Sequence, residues 1–167
     1  MATFKPLKPI DESFFRTANL IATATMEANC PPERLMDTLA GDVVWTQWAP
    51  ALKKVEWTSP KPYGPGAKRT VHLAGGQAVK ENFFIWKPNE QVAFYVEEAT
   101  LSGIESFAEN YEITVFNNGR STRLKWTVAI QVTGIGTLFT PVSRFFMELT
   151  FRRWLQKYKQ ILEGTAA

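Results

Sequence analysis

"TPVSRFFMELTFRRWLQKYKQILEG", residues 140–164, reads as one long helix, and what that helix must be packed against decides the fold. Val142, Phe145, Phe146, Leu149, Trp154, Leu155, Tyr158, Ile161 and Leu162 form a wide apolar stripe at helical spacing. Thr140 can cap the helix, Pro141 suits its first turn, and Gly164 follows the last periodic residue as a stop. A stripe of this width requires a partner surface, and the preceding sequence supplies one.

Upstream lie six strand-like segments, at 52–57, 67–73, 78–86, 91–98, 106–116 and 122–132. Turn chemistry separates them: "SPKPYGPG", "AGGQ", "KPNE", "LSG" and "NNGRS". Connections this short predict antiparallel hairpins in a meander. Before them, "LIATATMEA" at 20–28 predicts another strand, and "NCPPERLMDTLAGD" at 29–42 predicts a short helix. In that helix Pro31 and Pro32 suit the first turn, Glu33 favours the positive end of the dipole, and Gly41 closes it. The expected fold is α+β: a curved antiparallel sheet of about seven strands wrapped around the terminal helix, with a short helical segment between the first two strands. A sheet curled around a helix can enclose a hollow, and the same elements could also close into a filled core.

The 167 residues fit a single domain, 1–167, with an N-terminal arm at 1–19 and a core at 20–163. Pro6 and Pro9 punctuate the arm, and Phe4, Phe14 and Phe15 would tether it. Twelve Phe and six Trp make the chain unusually aromatic, at 13%. A net charge of only +3, with both signs mixed along the chain, gives no nucleic-acid footprint. The single cysteine, Cys30, cannot form an internal disulfide, and no Cys/His cluster has metal-ligand spacing. The expectation is therefore no metal and no cofactor. The N-terminus has no apolar signal region and no segment is long enough to span a bilayer, so the chain reads as cytoplasmic.

With the elements in this order, the sequence resembles the START-like helix-grip superfamily (SRPBCC), in particular its polyketide cyclase/dehydrase and lipid-transport group. The likeness covers about residues 20–163 and rests on several stretches. "MEANCPPERLMDTLAGDVVWTQWAP" is similar to that group's strand, helix, Asp and W-x-P turn, here Asp42, Trp48 and Pro50. "YGPGAKRTV", "VKENFFIWKPNEQVAFYV", "NNGRSTRLKWTV" and the C-terminal helix extend it. The resemblance implies an apolar or amphipathic ligand, such as a lipid, sterol or polyketide, held between sheet and long helix. It also implies a structural role for Trp48, which looks like the group's turn tryptophan. Trp45, three residues earlier, is assigned to the mouth of the cavity, and Trp57 to ordinary packing.

Alternation on strands and helix predicts a mainly apolar lining of Phe83, Phe94, Phe107, Tyr111, Trp126, Phe146 and Leu149. Glu109 falls on the same face as Phe107 and Tyr111, where a carboxylate needs a partner or a wet cavity. It reads as a polar anchor or a base of raised pKa; a bulge turning it to solvent, or a buried pair with an arginine, is the alternative. Arg69, sharing a face with Val71 and Leu73, is the natural partner for Glu109 or Glu81, and the "AGGQ" register decides which. His72 falls on the opposite face with Lys68 and Thr70, as an exposed histidine of the convex side. Cys30 at a helix start is explained by its position, and the glycine turns lead into no helix that could cradle phosphate.

Two functions follow. One is a binder or carrier of an apolar small molecule, favoured by the aromatic content and the absence of a compact catalytic constellation. The other is a cyclase or dehydratase using Arg69, Glu81, Glu109 and Tyr111 in the same cavity. A groove for a protein partner ranks below both, because no exposed apolar helix stands out in the sequence. Arg144, Arg152, Arg153, Lys157 and Lys159 make the last helix basic, which fits a solvated face or peripheral contact with an anionic membrane.

Overall fold

Strand β2 (Leu20–Ala28) shows why the sheet accepts a helix. Its inward face is Leu20, Ala22, Ala24, Met26 and Ala28, all buried, while Thr25 and Glu27 face out. Alanines on that face let the C-terminal helix α4 (Thr140–Glu163) lie close against the strand. The structure is a computed structural model that describes residues 3–164. Between β2 and α4 come α2 (Pro32–Leu39), α3 (Val43–Trp48), β3 (Leu52–Trp57), β4 (Lys68–Leu73), β5 (Ala78–Lys87), β6 (Gln91–Ala99), β7 (Ile104–Phe116) and β8 (Ser121–Val132). The arm before β2 holds β1 (Lys5–Pro6) and α1 (Phe14–Thr17).

The strands pair antiparallel in the order β2-β8-β7-β6-β5-β4-β3, a meander closed by the first long strand at its far edge. β2 and β3 are thus the two outer strands, and α2 with α3 must cross from one to the other. That crossing puts α3 against β3 and α4, over the concave face. Asp42 caps α3 by accepting the backbone N–H of Val43 at 2.7 Å. Antiparallel alternation also collects strand ends: β4, β6 and β8 finish at the same edge where β3, β5 and β7 begin, and there α4 starts.

The arm has a place in the sheet. β6 and β7 pair only from Gln91↔Glu112 to Tyr95↔Ala108, and then part. β1 fills the opening, pairing Lys5↔Ala99 and Pro6↔Glu98. Leu7 N–H then donates to the Glu97 carbonyl at 2.8 Å and Lys8 N–H to the Glu105 carbonyl at 2.9 Å, one on each separated strand. Phe15 stacks on Phe84 at 6.3 Å, and the Lys80 ammonium sits 4.6 Å from the Phe4 ring.

Two readings of the C-terminal helix are corrected. A 3-10 turn, Gly134–Phe139, leads into α4, so Thr140 lies inside the first turn and Phe139 occupies the cap position without a side-chain bond. The apolar residues also form two faces rather than one stripe. Phe151, Leu155, Tyr158 and Leu162 are buried, whereas Val142, Phe145, Phe146 and Leu149 are exposed. Val142 and Phe151 are about two and a half turns apart, which points them to opposite sides of the helix. An exposed apolar helix face therefore exists, contrary to the sequence reading. At the other end Gly164, at φ 70°, adopts the left-handed stop expected of it.

Candidate functional site

The concave face, α3 and α4 enclose a cavity of about 240 Å³. Its wall is supplied by alternate residues of the strands: Arg69 and Val71 from β4, Glu81 from β5, Phe94 and Val96 from β6, Glu109 and Tyr111 from β7, Trp126 and Val128 from β8. α3 adds Trp45 and Trp48, and α4 adds Met147, Phe151 and Trp154. Leu52, Leu73, Leu101 and Ile104 surround it at the edge where strand ends gather, and all four are partly exposed. That edge is the mouth.

Arg69 is the charged centre of the wall and is only 1% exposed. The register places it directly opposite Glu81, after the 3-10 turn Ala74–Gly76 and the Leu73 N–H to Gln77 carbonyl bond of 2.7 Å. Its Nε donates to Glu81 Oε2 at 2.5 Å. Four rings surround the guanidinium, with Trp45 at 4.3 Å, Phe83 at 5.0 Å, Phe94 at 5.1 Å and Trp57 at 5.3 Å. Ring faces stabilise a cation that water no longer reaches. Its Nη1 is buried with no hydrogen-bond partner, an unmet donor among cavity-lining side chains. Burial pushes the Glu81 carboxyl up from its ordinary range, against the pull of Arg69.

Glu109 is enclosed by protein atoms, and the surface left to it is cavity wall. Tyr111 Oη and Trp126 Nε1 both donate to its Oε2, the latter at 2.8 Å. Oε1 is left for a proton or a ligand. Burial, with the negative charge of Glu81 added, pushes Glu109 up to about 7, although the two donors and Arg69 pull the other way. Burial and Glu109 together hold Tyr111 well above the usual phenol range, so it stays a donor. The arrangement is one fixed cation paired with Glu81 and a second carboxyl, Glu109, that titrates near neutrality, in an otherwise largely apolar chamber.

Of the residues expected from sequence, Trp45, Arg69, Glu81, Phe94, Phe107, Glu109, Tyr111 and Trp126 line this cavity. Three do not. Phe83 lies one layer out, stacked on Trp57 at 5.0 Å, while Phe146 and Leu149 are on the outer face of α4. The partner of Arg69 is Glu81 rather than Glu109. Trp45 is no mouth residue: at 3% exposure it donates Nε1 to the Leu39 carbonyl at 3.2 Å and covers Arg69. Three residues apart on α3, Trp45 and Trp48 share an inward face, their rings 5.3 Å apart. Trp48 has the structural position expected, stacked on Tyr158 at 4.8 Å and edge-on to Trp126 at 5.5 Å.

Trp57 packs on Tyr63 at 3.8 Å and also shields Arg69. His72 pairs with Glu56 at 2.7 Å away from the cavity, and Cys30 is buried with its Sγ 3.4 Å from Thr122 Oγ1. Sequence reasoning missed Phe151 and Met147. Phe151 had a signal, because it precedes Leu155 by four residues and Tyr158 by seven on the buried face. Among the described residues no group of His, Cys, Asp and Glu is arranged to hold a metal, and no helix is long and apolar enough to cross a membrane.

Residues 20–167 match a family described as polyketide cyclase/dehydrase and lipid transport. Uncharacterized proteins of Mycobacterium tuberculosis and Mycobacterium bovis are 32% identical over 162 residues, which is 97% of this chain and 96% of theirs. Among solved structures, a START superfamily protein from Mycobacterium smegmatis aligns with a TM-score of 0.70 at 14% identity, covering 86% of this chain and 97% of that one. The Zhui aromatase/cyclase of a Streptomyces species aligns with a TM-score of 0.62 at 16% identity, covering 87% and 92%. These two likenesses are of fold: a helix gripped by a curled antiparallel sheet.

Proposed function

Because the chain belongs to the polyketide cyclase/dehydrase and lipid-transport family, we propose that it binds a small amphipathic molecule in the cavity between sheet and α4. The observation that carries this reading is the caged Arg69 with its unpaired Nη1. A buried donor without an acceptor is unfavourable, and an oxygen of an entering ligand that moves one ring of the cage aside would satisfy it. The ligand then has an apolar body that contacts Phe94, Val96, Val128 and Phe151, and a carbonyl, hydroxyl or carboxylate that reaches Arg69.

The test is native mass spectrometry of the purified protein, followed by solvent extraction and small-molecule analysis. An extracted molecule with an apolar chain or ring and an oxygen acceptor supports the reading. Titration with a medium-chain alcohol and the matching alkane should favour the alcohol by roughly tenfold or more, the worth of one hydrogen bond to a charged donor. Equal binding of the two, or binding of neither, would refute it.

A second reading, a cyclase or dehydratase, is supported by Glu109. A carboxyl that titrates at about 7 beside a cation can protonate a departing hydroxyl or take a proton next to a carbonyl. Product formation from a linear poly-β-ketone analogue, falling on the order of a hundredfold in Glu109→Gln, is the result this reading expects. An unchanged rate in that variant excludes Glu109 as the acid or base.

A further inference from the structure

The first turns of α4 and the 3-10 turn before them carry apolar side chains that no other part of the described chain covers. Ile135 is 78% exposed, Phe145 64% and Phe146 60%, and Leu138, Phe139 and Val142 are more than half exposed as well. Single exposed apolar residues are ordinary, but a contiguous group at one end of a molecule marks a contact surface. The helical period continues that same face into cations. Arg153 follows Phe146 by seven residues and Leu149 by four, Lys157 follows Arg153 by four, and Arg152 flanks them. Arg152, Arg153 and Lys157 are exposed and in no ion pair among the described residues, whereas Arg144 pairs with Glu148 at 3.1 Å and Lys159 with Glu163 at 3.9 Å.

We propose that this outer face of α4, with the 3-10 turn before it, docks on the surface of an anionic lipid bilayer. A bilayer presents an apolar layer beneath a sheet of phosphates, and the helix presents aromatic rings followed at one to two turns by unpaired cations. Charge complementarity argues against a second copy as the occupant. A parallel pair would set Arg152, Arg153 and Lys157 of each copy against those of the other, and an antiparallel pair would lay them over Phe145 and Phe146, giving each cation a ring face but no counter-charge such as a phosphate.

Position adds a consequence. Met147, next to Phe146 in sequence, lines the cavity, and the mouth residues Leu73, Leu101 and Ile104 belong to the same edge of the sheet. Docking by this face brings the mouth toward the bilayer, so that an apolar ligand would leave or enter with little exposure to water. The docking itself does not depend on which molecule the cavity holds.

The experiment is flotation of the full chain with vesicles of phosphatidylcholine alone, and with vesicles of phosphatidylcholine and phosphatidylglycerol in equal parts. The wild type should float with the anionic vesicles, roughly tenfold or more above the neutral ones. Arg152→Glu with Arg153→Glu should reduce that partition by roughly thirtyfold. Phe145→Ser with Phe146→Ser should reduce it by roughly tenfold or more. Both double variants replace exposed side chains and should keep the thermal midpoint of the wild type within a few degrees, which separates docking from folding. Equal partition into both vesicle types, a wild type that floats with neither, or either variant floating like the wild type would overturn the proposal. So would a dimer in solution that Phe145→Ser with Phe146→Ser dissociates, since the face would then be covered by a second copy.

Discussion

The two halves of α4 carry similar side chains in opposite surroundings. From Phe151 to Leu162 the apolar residues lie against β2 and α3: Leu155 and Tyr158 are wholly buried, and Tyr158 stacks on Trp48. From Val142 to Leu149 the helix has the same kind of residue, two phenylalanines among them, on the side turned away from the sheet. The difference shows that apolar content says little until it is assigned to a face. Buried, these rings hold the fold together; exposed, they are available to something outside the chain.

The largest effect is expected in the packed region, where it holds a charge. Glu81→Leu should cost ~3–5 kcal/mol of stability, because it leaves the Arg69 guanidinium buried and unable to shed its proton. Arg69→Leu should cost less, since Glu81, already pushed up by burial, can take a proton and become neutral. Urea unfolding of the two variants gives the order; equal losses would show that Glu81 does not relieve its burial by taking a proton.

Trp48→Ala and Trp45→Ala should each cost ~3–5 kcal/mol, the usual loss for a buried aromatic. A near-neutral Trp45→Ala in the same denaturation series would move α3 from the packed region to the bare one.

Glu109 is a smaller and pH-dependent effect. Its folded pKa of about 7 lies above the unfolded value, so the folded state holds this proton more tightly. The contribution to stability is full below the unfolded pKa, falls as pH rises toward the folded one, and is level above it. Glu109→Gln should flatten that descent, narrowing the difference in unfolding free energy between about pH 5 and about pH 8 by roughly 2–3 kcal/mol. A slope identical to the wild type would mean that Glu109 is ionised throughout.

The smallest effect belongs to the bare region, where Phe145→Ser and Phe146→Ser should each change stability by no more than ~0.5 kcal/mol. A loss of several kcal/mol on thermal or chemical unfolding would show that these rings support the fold after all.

Much of this fold was legible because strands alternate. β2, at 20–28, and β3, at 52–57, run as their apolar and polar residues indicate, and the inward faces of Arg69 and Glu109 follow from period two. The partner of Arg69 was not legible, because it depends on how the Ala74–Gly76 turn sets the register of β4 on β5. Phe146 and Leu149 were misplaced for another reason: they were read into one stripe with Leu155 and Tyr158, although nine residues from Phe146 to Leu155 make about two and a half turns and so opposite faces. Trp45 was misplaced because the segment at 43–48 had no assigned secondary structure, and only a helix forces it to the same side as Trp48. No sequence signal marked the arm as a strand, since its two paired residues, Lys5 and Pro6, are too few to show a period.

That arm has a consequence for how the molecule keeps to itself. Beyond Tyr95↔Ala108, β6 and β7 would each show a free edge at the mouth, beside Leu101 and Ile104, were it not for Leu7 and Lys8 bonding to Glu97 and Glu105 and for Ser106 Oγ donating to the Lys8 carbonyl at 3.0 Å. Unpaired strand edges recruit strands from other molecules. A chain shortened past Lys8 would keep its gripped helix and its caged arginine, and its defect would be social: two open seams through which copies could join edge to edge as concentration rises.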